Sequence, residues 1–162
     1  MNPFLIVKLL CLLTVANGTP VLTKKLAGNV LAEPIDRGFR CADGQPLLGS
    51  SKTVRGLLLA IVATAVCSPL LDLDWRAGAL VGSAAMAGDV FSSFVKRRMS
   101  LPASGRATGL DQIPESLLPL LVSRQLLSLT VLDITAIVGA FVIGEMLLSR
   151  VLYAWHVRDR PY

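Results

Sequence analysis

Apolar runs of membrane-spanning length alternate with short polar breaks along this chain, and the spacing predicts five helices. The first run, residues 4–22, is long enough to cross a hydrocarbon core of about 30 Å. Residues 57–71 form a second, shorter run and residues 77–95 a third. The apolar stretch from 113 to 155 is too long for one helix. It predicts two, over about 113–127 and 130–153. The polar breaks are a Gly- and Pro-rich loop over 23–56, a tight turn at 72–76 and a second loop over 96–112. The third run carries Gly78-x-x-x-Gly82 together with Ser83, Ala84, Ala85, Ala87 and Gly88, small residues that let neighbouring helices approach closely. The expected architecture is therefore an all-α integral membrane protein, one membrane-embedded domain over residues 1–162, with two motif-bearing loops.

An N-terminal apolar run can also be a signal peptide, here with cleavage near Ala16-Asn17-Gly18. Lys8 lies within the run and no basic segment precedes it, so a bundle helix is expected instead. Asn17 and Pro20 near its end leave backbone groups kinked or unpaired, which membrane helices tolerate where protein or water takes them up.

Composition agrees with the pattern. The chain is 53% hydrophobic with a mean hydropathy of +0.63, too apolar for a soluble domain of 162 residues. The net charge of +5 does not point to nucleic acid, because the basic residues sit between apolar runs with almost no aromatics among them. Most fall in the two long loops and in the tail with Arg158 and Arg160. The positive-inside rule then puts both loops and the C-terminus in the cytoplasm and the N-terminus outside. Cys11, Cys41 and Cys67 show neither metal-ligand spacing nor a disulfide framework. His156, in the tail, reads as an interfacial residue.

The chemistry concentrates in GDVFSSFVKRRMSLPASGRATGLDQ, residues 88–112. On a helix, Asp89, Ser92 and Lys96 share one face while Phe91 and Phe94 point elsewhere. Asp111 returns after the loop, so two carboxylates can converge beside Lys96, Arg97 and Arg98. That set suits Mg2+ bridging phosphates, since this cation is usually held by one or two carboxylates plus substrate oxygens. The basic run alone also reads as a positive-inside helix stop; an acid at membrane depth is costly and usually functional. In the first loop, Asp36-Arg37-Gly38 and Asp43-Gly44 read as turns. Gly44 and Gly49 have the glycine spacing of a P-loop, but its lysine is due at position 50 and stands at 52. What remains is a glycine-flanked loop carrying Lys52, Thr53 and Arg55 into a helix N-terminus, a place that favours phosphate. Arg124, Asp133 and Glu145 must face the bundle, a cavity or the headgroups, and no role is assigned to them.

Four motifs in order, Ala16-Asn17-x-x-Pro20-Val21, Asp43-Gly44 with Leu48-Gly49-x-x-Lys52-Thr53-x-Arg55-Gly56, Gly88-Asp89-x-x-x-Ser93-Phe94-x-Lys96-Arg97-Arg98, and Gly105 with Asp111-Gln112, closely resemble the CDP-archaeol synthases. The resemblance covers essentially the whole chain. It implies a five-helix membrane cytidylyltransferase, distantly similar to phosphatidate cytidylyltransferases, that uses Mg2+ and CTP to activate an isoprenoid ether-lipid phosphate. Asp89 and Asp111 would then hold the metal, and Lys52, Arg55, Lys96, Arg97 and Arg98 would neutralise phosphates. Asn17, Asp43, Gly44, Gly49, Thr53, Ser93 and Gln112 would line the substrates. The proline that archaeal members tend to carry before Ala16-Asn17 is absent, and Ser50-Ser51-Lys52-Thr53-Val54 differs in detail. A CDP-alcohol phosphotransferase fits less well, because Asp43-Gly44 lacks the following Ala-Arg and the spaced downstream aspartates. A non-catalytic membrane scaffold or transporter subunit, its acids and bases paired structurally, is the competing class.

Overall fold

The computed structural model describes residues 2–28, 30–101 and 109–154, with side chains through Arg150. Gly105, His156, Arg158 and Arg160 lie outside the described residues. The chain forms five helices, α1 (Pro3–Ala27), α2 (Val54–Leu70), α3 (Trp75–Arg98), α4 (Gln112–Val122) and α5 (Val131–Ala154). Among the described residues there is no strand, only isolated bridges at Pro34–Thr53 and Arg40–Pro46. α1, α3 and α5 are long and apolar enough to cross a membrane, and α2 is a shorter apolar helix.

Helix α1 starts where sequence chemistry puts it, with the Asn2 side chain accepting the Leu5 amide at 3.3 Å and Pro3 in the first turn. It runs past the predicted end at residue 22. Pro20 removes only its own amide from the ladder, and Lys24 and Lys25 in the last turn suit the negative end of the helix dipole. Gly28, at φ +49°, ends it. For the same electrostatic reason α3 continues to Arg98, so the basic run Lys96–Arg98 is helical and does not open the second loop. α4 is the largest departure. Predicted over 113–127, it stops at Val122 after 11 residues, about 16 Å of rise, and a series of turns leads to α5.

The small-residue face of α3 sets the packing. A Cβ on Gly78 would stand 2.4 Å from the Thr64 carbonyl oxygen and one on Gly82 2.1 Å from the Thr64 hydroxyl, so α2 lies directly on this face. One turn and a half further on, a Cβ on Gly88 would meet the Pro114 carbonyl oxygen at 2.3 Å. This close approach draws the first turn of α4 against the middle of α3. Leu9, Leu12, Leu13 and Ala16 of α1, Val81 and Ala85 of α3, Leu120 of α4 and Ile137 of α5 close the core, while Phe4, Val62, Leu132 and Leu147 face outward. At one end of the bundle Lys8 reaches Asp72 across 3.4 Å. At the other, the end of α1, the start of α2, the end of α3 and the start of α4 come together around the first loop.

Candidate active site

The first loop is folded by its own side chains. Asp36 accepts the amides of Gly38 at 3.1 Å, Leu48 at 2.9 Å and Gly49 at 2.9 Å. Burial works against its charge, but the amides of Gly49, Leu48 and Gly38 outweigh that and hold its carboxyl below the usual value of 3.8. Arg37 and Gly38 take positive φ, as does Gly44, and the Asp43 carboxylate accepts the Gln45 amide at 3.0 Å. Both turns read from the sequence are therefore present. Thr53 caps α2 by accepting the Gly56 amide at 3.1 Å.

The loop delivers Lys52 to the carboxylate of Asp89, with which it forms an ion pair. Lys96, two turns along α3, pairs with Asp111 at 2.6 Å. The face predicted for α3 is the one observed: Ser92 and Lys96 are buried, whereas Phe91 and Phe94 are exposed. Around these pairs lie two cavities of about 370 and about 270 Å³ that share Pro20, Lys24, Ser51, Lys52, Met86 and Asp89. The Lys52–Asp89 pair stands in the wall between them. The larger cavity also takes in Thr53 and Arg55, and the smaller takes in Asn17, Lys96, Asp111, Gln112, Glu115 and Glu145. Asn17 Nδ2 is buried there with no hydrogen-bond partner among the described residues. Gln112 accepts the Gly109 amide at 2.8 Å through its side-chain oxygen.

Eight of the fourteen residues assigned to the site from the sequence thus gather at the cavities, from α1, the first loop, α2, α3 and the start of α4. The Arg55 guanidinium binds the carbonyl oxygens of Val30 and Gly28, the latter at 3.0 Å. The others lie apart. Arg98 pairs with Asp43 at 2.6 Å, Gly49 serves the Asp36 turn, Gly44 sits in its own turn, and Ser93 and Arg97 are buried outside both cavity linings.

The sequence reading missed Glu115. It lies in the first turn of α4, nearly buried, and its carboxyl hydrogen-bonds that of Asp89. The signal was available: Glu115 stands four residues after Asp111 and so on the same side of the helix start. Asp89 was expected to close with Asp111, but Asp111 goes to Lys96 and Glu115 is the acid that meets Asp89. Two carboxyls in contact require a proton or a cation between them. A pair of oxygen donors of this kind, at a cavity that can admit phosphates, fits magnesium, which needs only one or two protein carboxylates.

Comparison with known proteins bears on the family and the fold. A family model described as CarS-like, CDP-archaeol synthase, matches residues 70–162, more than half of the chain. The CDP-archaeol synthase of Sulfurisphaera tokodaii is 31% identical over 156 residues, 91% of this chain and 89% of that protein. That of Hyperthermus butylicus is 39% identical over 107 residues, 60% of this chain and 59% of that protein. The match to the Methanopyrus kandleri synthase likewise spans 60% of its length. A solved structure of an intramembrane enzyme for archaeal membrane lipid biosynthesis superposes with a TM-score of 0.72 at 28% identity, covering 85% of this chain and 90% of that one. With a shared fold, a matching family model and a relative aligned along nearly its full length, the chain belongs to the CDP-archaeol synthase family.

Proposed function

We propose that this membrane enzyme transfers the cytidylyl group of CTP to the phosphate of a membrane lipid, an archaeal-type ether lipid or a related phosphatidate-like lipid, and releases pyrophosphate. The observation that carries the reading is the pairing of Lys52 with Asp89 and Lys96 with Asp111 at two adjoining cavities. Cations and carboxylates gathered at adjoining cavities serve a reaction between polyanions, where positioning and charge stabilisation supply most of the catalysis.

A phosphate monoester has its second pKa near 6, so the lipid phosphate is already an anionic nucleophile at neutral pH. Its oxygen attacks the α-phosphorus of CTP. The new P–O bond forms as the bond from Pα to the bridging oxygen of pyrophosphate breaks, and no proton transfer is needed. This accounts for cavities lined, among the described residues, by neither histidine nor cysteine. Lys52, in the wall shared by the two cavities, neutralises the oxygens of the reacting phosphates, and Lys96 those of the departing pyrophosphate. Asn17 offers its open amide to the substrate from α1. Asp89, with Glu115 beside it, and Asp111 would hold Mg2+, which when bound screens phosphate charge and withdraws electron density from the α-phosphoryl group.

The motif end of the bundle faces the cytoplasm in this reading. Lys24, Lys25, Lys52, Arg55 and Lys96–Arg98 cluster there, and CTP is a cytoplasmic nucleotide. An impermeant thiol reagent should label Ser50→Cys only from inside and Arg76→Cys only from outside; the reverse would refute the orientation. The activity is tested by incubating detergent-purified protein with labelled CTP, magnesium and a panel of ether- and ester-linked lipid phosphates. Lipid-soluble label that depends on CTP and on a lipid phosphate is expected. No label with any member of the panel would overturn the reading.

A further inference from the structure

Arg98 belongs to the basic run that sequence logic assigns to phosphate, yet its surroundings give it different work. Its Nη1 donates to the Asp43 carboxylate at 2.6 Å, and its Nη2 donates to the carbonyl oxygens of Pro46 at 2.8 Å and Gln45 at 3.5 Å. The guanidinium carbon lies 5.3 Å over the Phe94 ring. Both terminal nitrogens are committed to the first loop, and neither Arg98 nor Asp43 is among the described residues lining the two cavities. A planar fork that grips one carboxylate and two carbonyls is a fixing device specific to arginine.

What Arg98 fixes is the approach to Lys52. The segment it holds, residues 43–46, is followed one residue later by Leu48 and Gly49, whose amides are pinned by Asp36, and Lys52 is three residues beyond. Asp89 and Arg98 are both on α3, nine residues apart, which is about 13 Å of helix. α3 thus holds the loop at its end through Arg98 and receives the loop's lysine deeper in the bundle at Asp89. We propose that the Arg98–Asp43 clasp is a positioning device that sets Lys52 at the wall between the cavities, and that neither clasp residue binds substrate. The role assigned to Lys52 rests on the function proposed above; the clasp itself does not.

Cys41, half-buried beside the clasp, allows a test that needs no substrate. In a Cys11→Ser, Cys67→Ser background, the alkylation rate of Cys41 would be measured for Asp43→Ala, Arg98→Ala and the double variant, alongside their cytidylyl transfer rates. Loss of a charge-assisted hydrogen-bond set should raise local opening and the labelling rate roughly tenfold in each single variant. The double variant should go no further, because both residues act through one contact. Transfer rates should fall in kcat by a similar factor in all three, with the KM for CTP little changed. Arg98→Lys, which keeps the charge without the fork, should label nearly as fast as Arg98→Ala. Unchanged labelling in both single variants would overturn the clasp. So would a transfer loss in Arg98→Ala far beyond that of Asp43→Ala with a raised KM for CTP, which marks a phosphate ligand. Absence of transfer in the parent protein would count against the proposed function, with the labelling result still deciding the clasp.

Discussion

At the turn between α2 and α3, Asp74 caps a helix through the Arg76 amide at 2.7 Å, and Asp72 meets Lys8 with 92% of its side chain exposed. At the opposite end Asp89 and Asp111 meet Lys52 and Lys96 with only 16% of either aspartate side chain exposed. The chemical groups are the same, but their consequences differ. An exposed pair adds at most about 1 kcal/mol and can be lost with little effect. Pairs withdrawn from water inside an apolar bundle cost free energy to desolvate, and such residues persist where function needs them.

The widest gap between the two ends is expected at single carboxylates. Asp89→Asn should lower cytidylyl transfer by about a thousandfold or more, since it removes charge from the proposed metal site while the protein still inserts. Asp72→Asn should leave transfer within about twofold, as expected for an exposed pair. Glutamate at position 89 should restore little, because Mg2+ tolerates little change in ligand position. Glu115→Gln comes next, with an expected loss of about 10- to 100-fold, the usual range for groups that orient metal ligands. Binding of Mn2+ followed by electron paramagnetic resonance should weaken in parallel; normal binding would remove Glu115 from the site.

Backbone approach separates the regions less steeply. Gly88→Ala forces a methyl group against Pro114 and should destabilise the protein by about 1–3 kcal/mol, the usual cost of overpacking. Gly139→Ala in α5, where a Cβ would meet nothing within 4 Å, should be neutral or stabilising by about 0.5–1 kcal/mol. Thermal melts in detergent would compare them. Equal shifts would show that the α3–α4 contact is not close. The smallest expected effect is a dependence on pH. The Asp36 carboxyl is held below 3.8 in the fold, so its contribution is fully present above the unfolded value and disappears as pH falls through the lower folded one. Asp36→Asn should therefore melt earlier than the parent at pH 6, and the difference should shrink below pH 3.8.

Helix number and order were readable from hydropathy because a membrane leaves few ways to satisfy backbone polar groups. The buried face of α3 was readable from 3.6-residue periodicity. The ends were harder. Lys24, Lys25 and Lys96–Arg98 look like loop in a hydropathy profile, yet the helix dipole favours them in a last turn. The short α4 was hidden because Leu126, Leu127 and Leu129 carry the apolar pattern on into the turns that follow it. Glu115 and the Arg98–Asp43 contact depend on pairings between residues 26 and 55 positions apart. Their partners become apparent only once Gly88 draws α4 onto α3 and the first loop closes over the bundle.

In the proposed reaction the α-phosphoryl group of CTP, and no other part of its triphosphate, passes to a lipid at the wall formed by Lys52 and Asp89. It is tested most directly by running the purified enzyme in parallel with CTP labelled at the α- or at the γ-phosphate. Label is expected in the lipid fraction only from α-labelled CTP, with γ-label recovered as pyrophosphate, and Asp89→Asn should form both products about a thousandfold more slowly. Lipid labelled from the γ-phosphate, or undiminished transfer by Asp89→Asn, would contradict it.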